Sequence, residues 1–215
     1  MSAKGRGRHD GGDFDFYPTP AWCVTRLLEA APGLLDINEA LEPTCGDGAV
    51  VAACVDWMGK RLAPPKWTGV EVRKNAVREP AAFAHLYEGA DFRTWQPTRR
   101  YQLAIGNPPY NLAEEIIRKC LAHADVVAML LRVGFLGSDE RVDFFRTVGA
   151  NPALFILPDR PSFDGIGTDA STYAWFVWGY PPLRGVHMLG STPLAVRKSQ
   201  TPQGLEYEKA QGALF

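Results

Sequence analysis

Leu103-Ala104-Ile105-Gly106-Asn107-Pro108-Pro109-Tyr110 is the stretch on which the fold turns. Leu103-Ala104-Ile105 is a short apolar run of the kind that forms a buried strand. Two consecutive prolines end it, because proline offers no N–H to a neighbouring strand and restricts the residue before it. The reading predicts a stiff corner that presents one carboxamide and one aromatic ring at the C-terminal edge of a strand. Open α/β sheets bind their ligands at that edge. A carboxamide oxygen, the adjacent carbonyl and a flat ring suit a planar amino group attached to a ring, such as the N6 of adenine. Asn-Pro by itself is common in turns, so the weight comes from what precedes it.

On either side of this corner the pattern alternates. A helix is expected after Thr19-Pro20, with Thr19 as N-cap and Pro20 at the first helical position, ending at Pro32-Gly33. Strands are expected at Ala40-Leu41, Trp67 to Val72, Tyr87 to Ala90, Tyr101 to Ile105 and Val126 to Leu131. Helices are expected at Ala49 to Trp57, Asn75 to His85 (against the presence of Pro80), Ala113 to Ala124 and Asp139 to Val148. Two further strands, Ala153 to Leu157 and Tyr173 to Val177, follow with no helix between them. Alternation of this kind implies an α/β fold with a mostly parallel sheet covered on both faces. The last two strands imply an antiparallel hairpin at one edge, giving seven strands in all.

At 215 residues and 46% hydrophobic content the chain is expected to form one domain with an ample core. Residues 1–14 read as a disordered basic tail carrying Lys4, Arg6 and Arg8, residues 15–180 as the domain, and 181–215 as a surface extension, partly flexible. The 23 Lys+Arg nearly balance 24 Asp+Glu, so any grip on a nucleic acid must be local. Cys23, Cys45, Cys54 and Cys120 are widely spaced and do not cluster with histidine, which argues against a metal site or a disulfide framework. Reduced thiols, with no leader and no membrane-spanning run, point to the cytoplasm.

Glu42-Pro43-Thr44-Cys45-Gly46-Asp47-Gly48 follows the first strand and opens a helix. Its glycines permit close approach of backbone to ligand, yet it is neither Gly-x-Gly-x-x-Gly nor a phosphate loop. The second strand ends in Val70-Glu71-Val72, where an acidic side chain can accept from both ribose hydroxyls. After the third come Ala90-Asp91-Phe92, with Asp91 placed to accept from an exocyclic amine and Phe92 to cover a ring. Ribose and adenine contacts without a phosphate fingerprint fit a phosphate-free nucleoside such as S-adenosylmethionine.

With these motifs in order, the chain resembles the amino-methyltransferases that act on adenine N6 in DNA, in the gamma arrangement in which cofactor motifs precede Asn-Pro-Pro-Tyr. Phe16-Tyr17-Pro18-Thr19-Pro20 resembles motif X of that family, Glu42 through Gly48 motif I, Gly69 to Val72 motif II, Ala90 to Phe92 motif III and Asn107 to Tyr110 motif IV. Arg160-Pro161-Ser162-Phe163 resembles motif VIII, and Tyr173 to Trp178 the final antiparallel strand. Arg73 stands where family members often carry a second acidic residue, and the usual large C-terminal target-recognition domain is missing. The compact size resembles phage-borne orphan enzymes.

The resemblance implies a Rossmann-like class I fold with S-adenosylmethionine as cofactor, held by Thr19, Pro20, Glu42, Thr44, Cys45, Gly46, Glu71, Val72, Asp91, Phe92 and Asn107. It implies catalysis by Asn107, Pro108, Pro109 and Tyr110, with DNA as partner and no metal. The target base would be flipped out, stacked on Tyr110, and met on its other side by Phe163 beside Arg160. Arg132, Arg141, Arg146 and the 159–172 loop are further candidates for DNA contact. RNA adenine, a protein glutamine, cytosine N4 and a noncatalytic nucleic-acid-binding partner are the competing readings. A monomer and a homodimer are equally compatible with the sequence.

Overall fold

The computed structural model describes residues 18–59, 63–137, 139–149, 151–163 and 170–200. The basic tail, Phe16 and Tyr17, residues 164–169 of the 159–172 loop and residues 201–215 lie outside the described residues. In chain order the elements are α1 (Ala21–Ala30), β1 (Glu39–Glu42), α2 (Ala49–Met58), β2 (Lys66–Glu71), β3 (His85–Glu88), β4 (Tyr101–Gly106), α3 (Ala113–His123), β5 (Ala124–Arg132), α4 (Val142–Val148), β6 (Ala153–Ile156), β7 (Tyr173–Trp178), β8 (Val186–Met188) and α5 (Leu194–Ser199).

The strands form one sheet in the order β3-β2-β1-β4-β5-β7-β6-β8. The first five are mutually parallel, whereas β7 runs antiparallel to both of its neighbours. Strand order reverses between β1 and β4, and such a reversal opens a crevice at the C-terminal ends of the two strands. Pairing of Leu41 with Ala104, and of Glu42 with Gly69, brings the ends of β1, β2 and β4 to one level.

Side-chain alternation along β4 builds two cores. Leu103 and Ile105 face one side with α1, α2, Trp67 and Trp175, while Ala104 faces the other with α3, Met129 and Phe176. Trp175 ties the first layer together by donating from Nε1 to the carbonyl of Cys23 at 2.8 Å. Helix α3 buries Ile116, Ile117 and Cys120, and Glu114 and Glu115 sit in its first turn, where the helix dipole favours negative charge. Each buried isoleucine contributes about 1.5–3 kcal/mol relative to exposure.

Four expectations are corrected. Among the described residues the sheet has eight strands, because Val186-His187-Met188 pairs in parallel with β6; the β6–β7 hairpin is therefore inside the sheet edge and not at it. No α-helix forms over 75–85; there is only a 3₁₀ turn at Pro80–Ala82, and the third strand starts at His85 and ends at Glu88. Asn75 adopts a left-handed φ of 55°, and the N–H groups of Ala76 and Val77 donate to Glu88 Oε1 at 2.7 and 3.1 Å instead of entering a helix. Thr19 does not cap α1, which starts at Ala21 after Pro20 with no side-chain cap. The segment expected over 139–148 begins as a 3₁₀ turn at Asp139–Arg141 and becomes α-helical only at Val142.

Within the described residues 181–200, two hydrogen bonds tie the extension to α1. Arg26 donates to Thr192 Oγ1 at 2.9 Å, and the Trp22 N–H donates to Gln200 Oε1 at 2.7 Å. Among the described residues no helix is long and apolar enough to cross a membrane. No group of three His, Cys, Asp or Glu among them could hold a metal ion.

Candidate active site

A cavity of about 560 Å³ opens at the C-terminal ends of β1, β2 and β4. That volume is in the range of small-molecule sites. The turn after β1 forms its floor: the Cys45 N–H bonds Val70 O at 2.9 Å, and the Gly48 N–H closes onto Cys45 O at 2.7 Å. Gly48 takes a φ of 85° as it leads into α2, a left-handed conformation open to glycine at little cost.

Four carboxylates stand in the wall. Glu42 is 1% exposed, and its Oε2 is buried with no hydrogen-bond partner among the described residues. Burial first, and then the nearby charge of Asp47, push its carboxyl well above the usual carboxylate range. Asp47 pairs with Arg78 at 2.9 Å and accepts from the Ala49 N–H at 3.2 Å. Glu71 accepts from the Gly46 N–H at 2.8 Å, and its other oxygen holds the N–H and Nε of Arg73 at 3.0 and 2.6 Å. Arg93 grips Asp91 through side chain and backbone, and these hydrogen bonds hold the Asp91 carboxyl below its ordinary value. The wall is thus a set of oriented acceptors, among them the buried Glu42 Oε2, which no described residue engages.

The proline corner lies opposite. Asn107 donates from Nδ2 to Thr19 Oγ1 at 3.1 Å, and its Oδ1 accepts from the Tyr110 hydroxyl at 3.3 Å. Thr19, expected to cap a helix, thus reaches across 88 residues of sequence to hold the carboxamide. Tyr110 is half-buried: the Arg132 guanidinium lies 4.9 Å from its ring centroid, and the Tyr173 ring lies 5.9 Å away. Arg132 also donates from Nε to the Tyr173 hydroxyl at 3.0 Å.

Thr19, Glu42, Thr44, Cys45, Gly46, Glu71, Val72, Asp91, Phe92 and the whole Asn107–Tyr110 corner line this one cavity. Pro20, Phe163 and Arg160 are not among the described residues that line it. Pro20 faces an adjoining cavity of about 210 Å³. Phe163 is 6% exposed and packs edge-on against Tyr173 at 5.2 Å, one ring behind Tyr110, and Arg160 is exposed. Arg132 and Arg73 line the cavity without having been placed there from sequence. Their signal is positional: Arg132 closes β5 and Arg73 stands two residues after the end of β2, both in the parallel part of the sheet.

No protein-family model matches the chain. The type II methyltransferase M.CvrRI of Paramecium bursaria Chlorella virus XZ-6E is 28% identical in a 160-residue alignment that covers 61% of this chain and 38% of that protein. The type II methyltransferase M.TthHB8I of Thermus thermophilus is 33% identical over 89 residues, 41% of this chain and 19% of that protein. The chain therefore spans well under half the length of these relatives. Among solved structures, a class I S-adenosylmethionine-dependent methyltransferase of Listeria monocytogenes superposes with a TM-score of 0.58 at 10% identity, covering 82% of this chain and 65% of that one. The fold is that of the class I methyltransferases. S-adenosylmethionine is the cofactor expected of it, and the observed wall fits that group: a buried, unpartnered carboxylate oxygen suits an ammonium, and Glu71 and Asp91 suit sugar hydroxyls and an amine.

Proposed function

We propose that the chain is an S-adenosylmethionine-dependent DNA methyltransferase that modifies the N6 amine of adenine. The observation that carries this reading is the Asn107 carboxamide, held by Thr19 on the wall of a cavity whose other wall is four carboxylates. Glu42 and Glu71 with Asp91 would hold the cofactor, which supplies an electrophilic methyl group when bound. The similarity to type II methyltransferases supports DNA as the substrate.

The amine of adenine is a weak nucleophile, because its lone pair is delocalised into the ring. Asn107 Oδ1 and the Pro108 carbonyl accept its two hydrogens, favouring a tetrahedral nitrogen with its lone pair free. The same oxygens stabilise positive charge as it grows on nitrogen, a contribution made mainly in the transition state. The Tyr110 hydroxyl, which donates to Asn107 Oδ1, yields that position to the incoming amine. Tyr110 then offers its ring face to the extruded base. The buried Phe163 supports this arrangement from behind, through Tyr173.

Labelled methyl transfer tests the proposal. Purified protein is offered DNA, RNA and a protein substrate in parallel, and the modified DNA is digested to nucleosides. N6-methyladenine from DNA is expected. N4-methylcytosine, or label only in RNA or protein, would replace the proposal by one of those activities.

A further inference from the structure

The ammonium of Lys119, on α3, sits among three backbone carbonyls of the segment after β3. It donates to the carbonyls of Phe92 at 2.7 Å and Arg93 at 3.0 Å, and more closely still to that of Trp95. It also lies 5.1 Å from the centroid of the Phe92 ring. The segment is a tight turn, in which the N–H groups of Thr94 and Trp95 both return to Asp91 O at 3.0 and 2.8 Å. Asp91, Phe92 and Arg93 line the main cavity, as does Ile116, one helical turn before Lys119. Helix α3 in turn starts from the catalytic corner, with the Leu112 N–H bonded to Pro109 O at 3.0 Å. A single rigid element therefore spans the two halves of the site.

We propose that Lys119 is a positioning residue for the adenine end of the cofactor site: its ammonium fixes the height of Asp91 and Phe92 against the cavity. The inference rests on the cofactor reading given above. Three carbonyls converging on one point repel each other, and a carbonyl left without a donor when half-buried is costly. A charged donor with three hydrogens satisfies all three at once. With that donor removed, the turn relaxes towards solvent and the two cavity-lining side chains lose their register. The effect falls on cofactor affinity, because the hydrogen bonds and ring contact of the Lys119 ammonium are made with the 92–95 segment and not with the Asn107 corner.

Lys119→Met keeps most of the aliphatic stem and removes the ammonium. With duplex DNA as substrate, KM for S-adenosylmethionine is expected to rise about tenfold while kcat at saturating cofactor stays within about twofold. Adenosine, which carries only the adenine end, should lose affinity by a similar factor in calorimetry, and Lys119→Arg should recover part of the loss. Unchanged cofactor and adenosine affinity in a folded Lys119→Met would overturn the inference alone. Parallel falls in kcat, both KM values and thermal stability would also overturn it, by showing a merely structural role. Wild-type protein that binds no S-adenosylmethionine would overturn the cofactor reading, and this inference with it.

Discussion

At the residue scale the decisive group is one carboxamide whose two ends have different partners. Thr19 takes the amide hydrogen and Tyr110 offers a proton to the oxygen, so the acceptor end is the one that a substrate amine can claim. Asn107→Ala removes the acceptor and leaves the four-carboxylate wall intact. Turnover is expected to fall by at least about 10²-fold, the scale of losing one oriented transition-state partner, with the Kd for S-adenosylmethionine within about threefold in calorimetry. Tyr110 separates its two functions cleanly. Tyr110→Phe keeps the ring and releases Asn107 Oδ1, so kcat/KM should stay within about threefold of wild type. Tyr110→Ala removes the stacking surface, worth about 1–3 kcal/mol per base, and should lower kcat/KM far more than it weakens nonspecific DNA binding in an anisotropy titration. Equal losses for Phe and Ala would place the contribution in the hydroxyl and reject the stacking role.

At the scale of elements, what was legible in the sequence is what depends on local pattern. The apolar runs of β4 and β5 and the helical spacing of Ile116, Ile117 and Cys120 state their own conformation, and the corner at Pro108-Pro109 states where a strand must stop. Glu42, Glu71 and Asp91 could be placed in one site because the first two end β1 and β2 and the third follows closely on the end of β3, and parallel strands deliver their C-terminal ends to one edge. What was not legible depends on partners distant in sequence. The 75–85 segment lacks a helix because Glu88 captures its N–H groups, and β8 exists because β6 leaves an edge for a short Val-His-Met run to join. Thr19 and Arg132 bond to residues 88 and 41 positions away. Gly69 in β2 shows the same dependence: a Cβ there would lie 2.5 Å from the Phe83 ring, 14 residues on, in the segment expected to be helical. Gly69→Ala should destabilise the fold by about 1–3 kcal/mol, the usual range for overpacking, seen as a fall in Tm. Phe83→Ala, costly alone, should cost distinctly less in the Gly69→Ala background. Additive losses would mean that the two positions do not compete for space.

At the scale of the whole molecule, the site's chemistry is bound to the stability of the fold through Glu42. Its carboxyl is buried with one oxygen unpartnered, and its pKa is raised by that burial. In the unfolded chain the same group titrates in the ordinary carboxylate range. Between those two values the folded protein holds a proton that the unfolded chain has released, so the stability contributed by Glu42 is fully present below the ordinary value and is lost as pH rises through the folded one. Asp91, with its pKa lowered, acts in the opposite direction but only in acid below the ordinary range, and the buried thiols of Cys45 and Cys54, with pKa values raised by burial, act only in alkali. Between pH 5 and 8 the difference in Tm between wild type and Glu42→Gln therefore isolates Glu42. Without cofactor, the variant should be the more stable protein at pH 8, by a few degrees for each ~1 kcal/mol, and the gap should close towards pH 5. With S-adenosylmethionine, wild type should gain more than the variant at pH 8, because a cationic ligand gives the buried Oε2 a partner that the described residues do not supply. A cofactor-induced rise in Tm that is equal in the two proteins at pH 8 would show that Glu42 does not face the positive end of the cofactor.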